Sequence, residues 1–178
     1  MNDDLKSLMD HFDREGIHYQ KLGNDPALRL IFEQKNGIFD CFVMASQEPR
    51  SLECVTVFPV KVPQAKRNQM AELLHRVNQY TRFGYLRLDM DNGRVTSKSG
   101  IVVGPDSILD DYVIRSIVAG NLTIADDHLP AVQKVIFGNV SPKDALNLPI
   151  PSDEADSEDE TPSRFGGRLG RFFEASDN

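Results

Sequence analysis

The chain has 178 residues, 40% of them hydrophobic, and a formal net charge of -7. This composition predicts one domain with its own core, and the absence of any stripe of basic residues argues against nucleic acid as a partner. The first ten residues, MNDDLKSLMD, carry acids where a secretory signal carries basic residues, and no segment has the roughly 20 apolar residues of a membrane span. We therefore expect a cytoplasmic protein that does not span a membrane.

An amphipathic helix and three strands are predicted in the first third of the chain. The helix is indicated by apolar residues at helical spacing, namely Leu5, Leu8, Met9 and Phe12. The strands lie in ALRLIFEQ, GIFDCFVMA and SLECVTVF, and they are separated by Asn36-Gly37 and by the loop SQEPR. Such short connections predict an antiparallel meander, and Pro59 is expected to end it.

The second and third strands each carry one cysteine, Cys41 and Cys54. If the turn between them is centred near Gln47 and Glu48, the two cysteines come close to opposite each other. One interpretation is a reversible cross-strand disulfide, which would be strained and easily reduced. We favour two buried thiols, because free cysteine is among the most buried residue types and the cytosol is reducing.

The meander carries apolar residues on both faces. If Leu28, Leu30 and Phe58 face a core, the alternation sends five others to the opposite face: Ile31, Phe42, Met44, Val55 and Val57. A sheet with one face in water would not carry so many apolar residues there. Either the C-terminal helices cover this face, which is the more common arrangement, or a second subunit or a bound segment does. These five residues are candidates for partner binding.

A second helix and a hairpin are predicted between Val62 and Val95. Pro63 suits the first turn of a helix, and an apolar stripe follows it: Met70, Leu73, Leu74 and Val77. Gly84 is expected to end the helix. Alternating residues then predict two strands around the turn Asp91-Asn92-Gly93, which supplies residues that tolerate positive φ.

Two further helices are predicted after the hairpin. A cap at residues 106–107 opens the first, which closes at Gly120, and Thr123 caps the second, which closes at Gly138. Pro130 is expected to kink or split this second helix. The predicted fold is therefore α+β, with a five-stranded antiparallel sheet packed with helices in the order α-β-β-β-α-β-β-α-α.

The last 30 residues have a different character. Residues 149–178 hold 8 acids and 3 arginines and are poor in apolar residues until residue 164, so they cannot offset the entropy of a fixed chain. We predict a domain over 1–148 and a disordered tail over 149–178. The tail contains RFGGRLGRFF, whose side chains are of the types that anchor interfaces: Arg164, Phe165, Arg168, Leu169, Arg171, Phe172 and Phe173.

No arrangement of residues typical of catalysis or of metal or cofactor binding is visible. The segment from Asp89 to Gly93 begins like a calcium loop, but its glycine is at position 5 rather than 6 and Gly100 stands where a bidentate Glu is needed. The four histidines are scattered, and HExxH, GxSxG, GxGxxG and GK[ST] are all missing. We expect no enzyme, no metal and no cofactor.

The stretch KVPQAKRNQMAELLHRVNQYTRFGYLRLDMDNGRV, with the predicted order of elements, resembles the YbjN family of bacterial proteins over about residues 3–140. The residues that carry the likeness include Val62, Pro63, Arg67, Asn78, Gly84 and Asp89. The family is described as a candidate regulator of sensory transduction. The resemblance implies a fold like that of type III secretion chaperones, which are small acidic α+β proteins that often dimerise and bind segments of other proteins. It brings no catalytic residues.

Two functions of different class fit these patterns. The first is a non-enzymatic protein-binding module, chaperone-like or regulatory, that holds a protein partner on an apolar surface. The second is an adaptor in which RFGGRLGRFF docks a partner and the folded domain is a scaffold. A homodimer is compatible with both, since two-fold homodimers are the commonest oligomers.

Overall fold

The computed structural model describes residues 3–104 and 106–146, and these residues form an α+β fold with an antiparallel sheet. The helices are α1 (Asp3–Arg14), α2 (Arg67–Asn78), α3 (Asp111–Phe137) and α4 (Pro142–Leu146). The strands are β1 (Tyr19–Lys21), β2 (Ala27–Glu33), β3 (Ile38–Gln47), β4 (Arg50–Lys61), β5 (Tyr85–Leu88) and β6 (Arg94–Val102). The predicted tail lies outside the described residues.

The sheet has six strands in the order β1-β2-β3-β4-β6-β5, and every neighbouring pair is antiparallel. The predicted meander and hairpin are present, but the count of five strands is too low. β1 was missed because its three residues, YQK, are too few to show an alternating pattern. It pairs with β2 over its whole length, from Tyr19 opposite Leu30 to Lys21 opposite Leu28.

The helices pack on one face of the sheet, which we call the core face. Alternate strand residues turn towards them, and the buried apolar cluster joins Leu28, Leu30, Val43 and Leu52 to residues of α1, α2 and α3. The apolar stripe predicted for α2 is buried in this cluster, as are Leu5, Leu8 and Phe12 of α1. Burial of these stripes supplies most of the stability that helices of this length need.

α3 is one helix of 27 residues, not the two that were predicted. It begins after Asp110, whose carboxylate accepts the backbone N–H of Val113 at 2.8 Å, so the cap lies later than residues 106–107. Gly120 lies inside the helix and does not end it. A lone glycine costs only about 1 kcal/mol in a helix, which burial of the surrounding apolar residues outweighs.

Pro130 also lies inside α3, and a neighbouring loop compensates for it. Proline has no N–H, so the carbonyl of Asp126, four residues earlier, loses its helical partner. The side-chain amide of Asn36 donates to that carbonyl at 2.9 Å, and the backbone N–H of Asn36 donates to the Asp126 carboxylate at 2.7 Å. A loop between β2 and β3 therefore replaces the missing helical bond.

Two other predicted boundaries need correction. α2 ends at Asn78 and not at Gly84, because the Asn78 side chain accepts the N–H of Leu86 at 2.8 Å and donates to its carbonyl at 3.0 Å. Gly84, with φ of 91°, instead lies just before β5. Pro59 does not end β4 either, since the strand continues to Lys61 through an irregularity in the ladder with β6.

The two cysteines are free thiols, both buried on the core face. The register pairs Cys54 with Val43 and Cys41 with Thr56, so the cysteines are diagonal neighbours and not direct partners. Their sulfur atoms lie 3.3 Å apart. The contact with Cys41 and the burial raise the pKa of the Cys54 thiol, which keeps it protonated.

Candidate functional site

The face of the sheet opposite the helices, which we call the open face, carries four of the five predicted partner-binding residues side by side. Phe42 of β3 is paired with Val55 of β4, and Met44 and Val57 flank them on the same strands. All four are partly exposed. The expectation that the C-terminal helices cover this face is wrong for residues 106–146, because α3 and α4 pack on the core side.

The apolar residues of the open face form the floor of a shallow groove of about 270 Å³. The floor consists of Leu22, Ala27, Phe42, Met44, Val55 and Val57. The wall is polar and comes from the β5–β6 hairpin, which contributes Arg87, Asp89, Arg94 and Thr96. An apolar floor with a charged wall on one side is typical of a surface that binds another molecule in a fixed orientation.

Two ion pairs flank the apolar floor. Arg29 of β2 meets Asp40 of β3 with 2.6 Å between guanidinium nitrogen and carboxylate oxygen, and Lys98 of β6 meets Glu53 of β4 at 2.8 Å. Each pair joins adjacent strands and neutralises its own charge. Partly exposed pairs of this kind stabilise the sheet by at most about 1 kcal/mol, and they leave the centre of the face apolar.

Among the described residues, the two arginines of the groove wall, Arg87 and Arg94, are not paired with a carboxylate in the way that Arg29 and Lys98 are. Neither the Arg87 nor the Arg94 guanidinium makes a hydrogen bond or an ion pair within residues 3–104 and 106–146. The carboxylate of Asp89 is close to Arg87 but is engaged elsewhere. It accepts the backbone N–H groups of Asp91 at 2.9 Å and Asn92 at 3.1 Å.

Those backbone N–H groups, chiefly that of Asn92, lower the pKa of the Asp89 carboxyl below its usual value. Asp89 therefore stabilises the turn of the hairpin, which Gly93 completes with φ of 74°. This arrangement is the tight turn that the sequence predicts. In the described part of the chain, no three acidic, histidine or cysteine side chains are grouped so that they could hold a metal ion.

The remaining candidates are placed as follows. Ile31 is on the open face but 62% exposed and outside the groove, opposite Asp40 on the neighbouring strand. The seven candidates from Arg164 to Phe173 lie outside the described residues. Arg87 and Arg94 were not singled out from the sequence. The alternation of Tyr85 and Arg87 with Leu86 and Leu88 was the signal that could have assigned Arg87 to the open face.

The sequence matches the model of the YbjN family over residues 4–134, and that model is described as "Putative bacterial sensory transduction regulator". Comparison with curated proteins gave no match. None of the helices in the described residues is long and apolar enough to cross a membrane.

Three solved structures resemble the chain. The crystal structure of YbjN from E. coli has a TM-score of 0.51 at 14% identity and covers 70% of this chain and 89% of that chain. A HopA1-SchA chaperone-effector complex has a TM-score of 0.46 at 16% identity, covering 66% and 86%, respectively. An ExsC-ExsE complex has a TM-score of 0.45 at 15% identity, covering 75% and 93%. At these identities, the likeness to the E. coli protein shows a shared fold alone.

Proposed function

This chain belongs to the YbjN family, and we propose that it is a non-enzymatic protein-binding module, chaperone-like or regulatory, that holds a protein partner on its open face. The observation that carries the proposal is the apolar floor of Phe42, Met44, Val55 and Val57, which no helix of the described residues covers. When another surface removes such residues from water, the complex is stabilised by about 25 cal/mol per Å² of apolar area buried.

The size of the groove limits the binding free energy that its apolar floor can contribute. A stable protein interface buries about 800 Å² on each partner, so the groove would be its centre and the surrounding sheet its rim. Phe42, Met44, Val55 and Val57 are already partly buried, so burying them further stabilises a complex by about 1 kcal/mol each. Aromatic and aliphatic side chains in the centre of an interface commonly dominate its affinity.

Site-specific photo-crosslinking of the full chain in its native bacterium tests the proposal. The photoreactive residue p-benzoylphenylalanine replaces Phe42 on the groove floor or Phe172 in the tail, and it replaces Phe83, which is 77% exposed outside the groove, as a control. We expect one partner protein to crosslink from position 42 and not from position 83. Crosslinking from position 172 alone would overturn the open-face proposal and favour the adaptor, in which RFGGRLGRFF docks the partner.

A neutral polar substitution separates loss of binding from loss of folding. Met44→Gln keeps the length of the side chain but places an amide on the groove floor. We expect a folded variant that binds the partner about tenfold more weakly, because burying an unpaired amide costs about 1–3 kcal/mol. Ile108→Gln, at an apolar position that is 85% exposed outside the groove, is the matched control and should bind normally. Unchanged binding by Met44→Gln would contradict the proposal.

A further inference from the structure

We propose that the partner segment bound on the open face carries an aspartate or glutamate next to its apolar residues, and that Arg87 and Arg94 bind this carboxylate. The inference deepens the proposed function and rests on it. It assigns a chemical class to the occupant of the groove: a peptide segment with apolar side chains for the floor and one acidic side chain for the wall.

The groove wall is cationic, because two arginines face one aspartate there, although the whole chain has a net charge of -7. The Asp89 oxygens accept N–H groups of their own turn, Oδ1 from the backbones of Asp91 and Asn92 and Oδ2 from the Asn92 side chain, and within the described residues neither oxygen is hydrogen-bonded to Arg87 or Arg94. The two other arginines of the strands behave differently: Arg29 pairs with Asp40 and Arg50 pairs with Asp4.

The two arginines lie beside an apolar floor. A guanidinium presents a planar set of donors that fits a carboxylate with two parallel hydrogen bonds. When a bound segment covers Val57 and Thr96, which lie between Arg87 and the centre of the groove, water is displaced and the attraction between unlike charges grows. An incoming cation would be repelled by the same wall, so the wall selects for an acidic segment.

The groove is small and shallow. At about 270 Å³ and open to solvent, it is smaller than the roughly 300–1,000 Å³ sites that enclose small molecules. Two arginines beside an apolar floor also do not form the extended basic stripe that a nucleic-acid backbone requires. One or two bulky side chains of a peptide, with a neighbouring carboxylate, fit both its volume and its charge.

Selection from a random peptide library displayed on phage tests this inference with the full chain as bait. We expect the selected peptides to be enriched in Asp or Glu beside Leu, Ile, Val or Phe. The best peptide is then synthesised with its carboxylate intact and as the amide counterpart, Asp to Asn or Glu to Gln. Fluorescence anisotropy should show about tenfold weaker binding of the amide form, and added salt should weaken binding of the acidic form more.

Substitutions in the chain test whether Arg87 and Arg94 bind the peptide carboxylate. Arg87→Gln combined with Arg94→Gln should weaken binding of the acidic peptide about tenfold and leave binding of the amide peptide nearly unchanged. Arg82→Gln combined with Lys143→Gln removes the same charge from two exposed positions outside the groove, and this control should bind both peptides like the wild type.

The outcomes distinguish the two proposals. If selected peptides bind and Met44→Gln weakens their binding, but the acidic and amide forms bind equally, the carboxylate inference is overturned and the open-face function stands. If Arg87→Gln with Arg94→Gln behaves like its control, the inference is overturned in the same way. If no peptide is selected, or if Met44→Gln leaves binding unchanged, the open-face function itself fails and the carboxylate inference fails with it.

Discussion

An ion pair between Asp4 of α1 and Arg50 of β4 gives a prediction about stability and its dependence on pH. The Arg50 guanidinium donates to both Asp4 carboxylate oxygens, at 2.6 and 2.9 Å, and also to the carbonyls of Gly104 at 2.7 Å and Ser107 at 3.0 Å. The Asp4 side chain is only 7% exposed. The pair therefore fixes the start of α1 and the loop after β6 against the end of the sheet.

Replacing Asp4 by Asn keeps the shape but removes the charge. Hydrogen bonds to charged groups contribute about 1.5–3 kcal/mol, and partial exposure of the Arg50 side chain reduces this, so we expect a loss of about 1–2 kcal/mol at pH 7. The bond with Arg50 lowers the pKa of the Asp4 carboxyl from its ordinary value of 3.8. Its stabilisation is therefore complete above that value and disappears as the pH falls through the lower folded-state pKa.

Urea unfolding followed by circular dichroism measures the effect. The difference in free energy of unfolding between wild type and Asp4→Asn should be constant from pH 7 to about pH 5 and should shrink below about pH 4. Glu72→Gln is the control, because the Glu72–Arg76 pair on α2 is exposed and contributes at most about 0.5 kcal/mol. A loss that persists undiminished in acid, or no loss at pH 7, would refute the assignment.

Three further substitutions test individual contacts by urea unfolding at neutral pH. Asn36→Ala removes the amide that caps the free carbonyl of Asp126, and we expect it to cost about 1–3 kcal/mol; a neutral result would mean that another group replaces it. Ser97→Ala removes a buried hydroxyl that has no hydrogen-bond partner within the described residues, so it should stabilise by about 1 kcal/mol, and destabilisation would reveal a partner. Gly93→Ala combines a positive φ with a collision against the carbonyl oxygen of Val62 and should cost more than about 2 kcal/mol; unchanged stability would contradict the hairpin geometry.

The sequence predicted the elements whose physical cause is local. α1, the stripe of α2, the meander and the β5–β6 hairpin each follow from spacing and turn residues, and the structure has all of them. α3 could not be predicted as one helix, because Pro130 is a helix breaker in isolation. The helix tolerates Pro130 because Asn36 binds the carbonyl of Asp126. Asn36 lies 90 residues from Asp126 in the chain and is brought near by the packing of α3 on the sheet.

In the candidate site, too, the features with a local cause were predictable and those that depend on distant contacts were not. Alternation along β3 and β4 placed Phe42, Met44, Val55 and Val57 on one face correctly, because side-chain direction in a strand has a fixed period of two. What borders that face depends on which strands are neighbours. The arginines of the groove wall reach it only because β6 pairs with β4, a contact that no local pattern specifies.

Hydroxyl-radical footprinting of the full chain, alone and with the partner that crosslinks from position 42, tests the central claim most directly. Met44 and Phe42 on the open face should be oxidised in the chain alone and protected in the complex. Met70 and Phe39 are fully buried in the core, so they should stay unlabelled in both states and serve as internal controls. Equal labelling of Met44 and Phe42 in both states, or no labelling of either in the chain alone, would contradict the account.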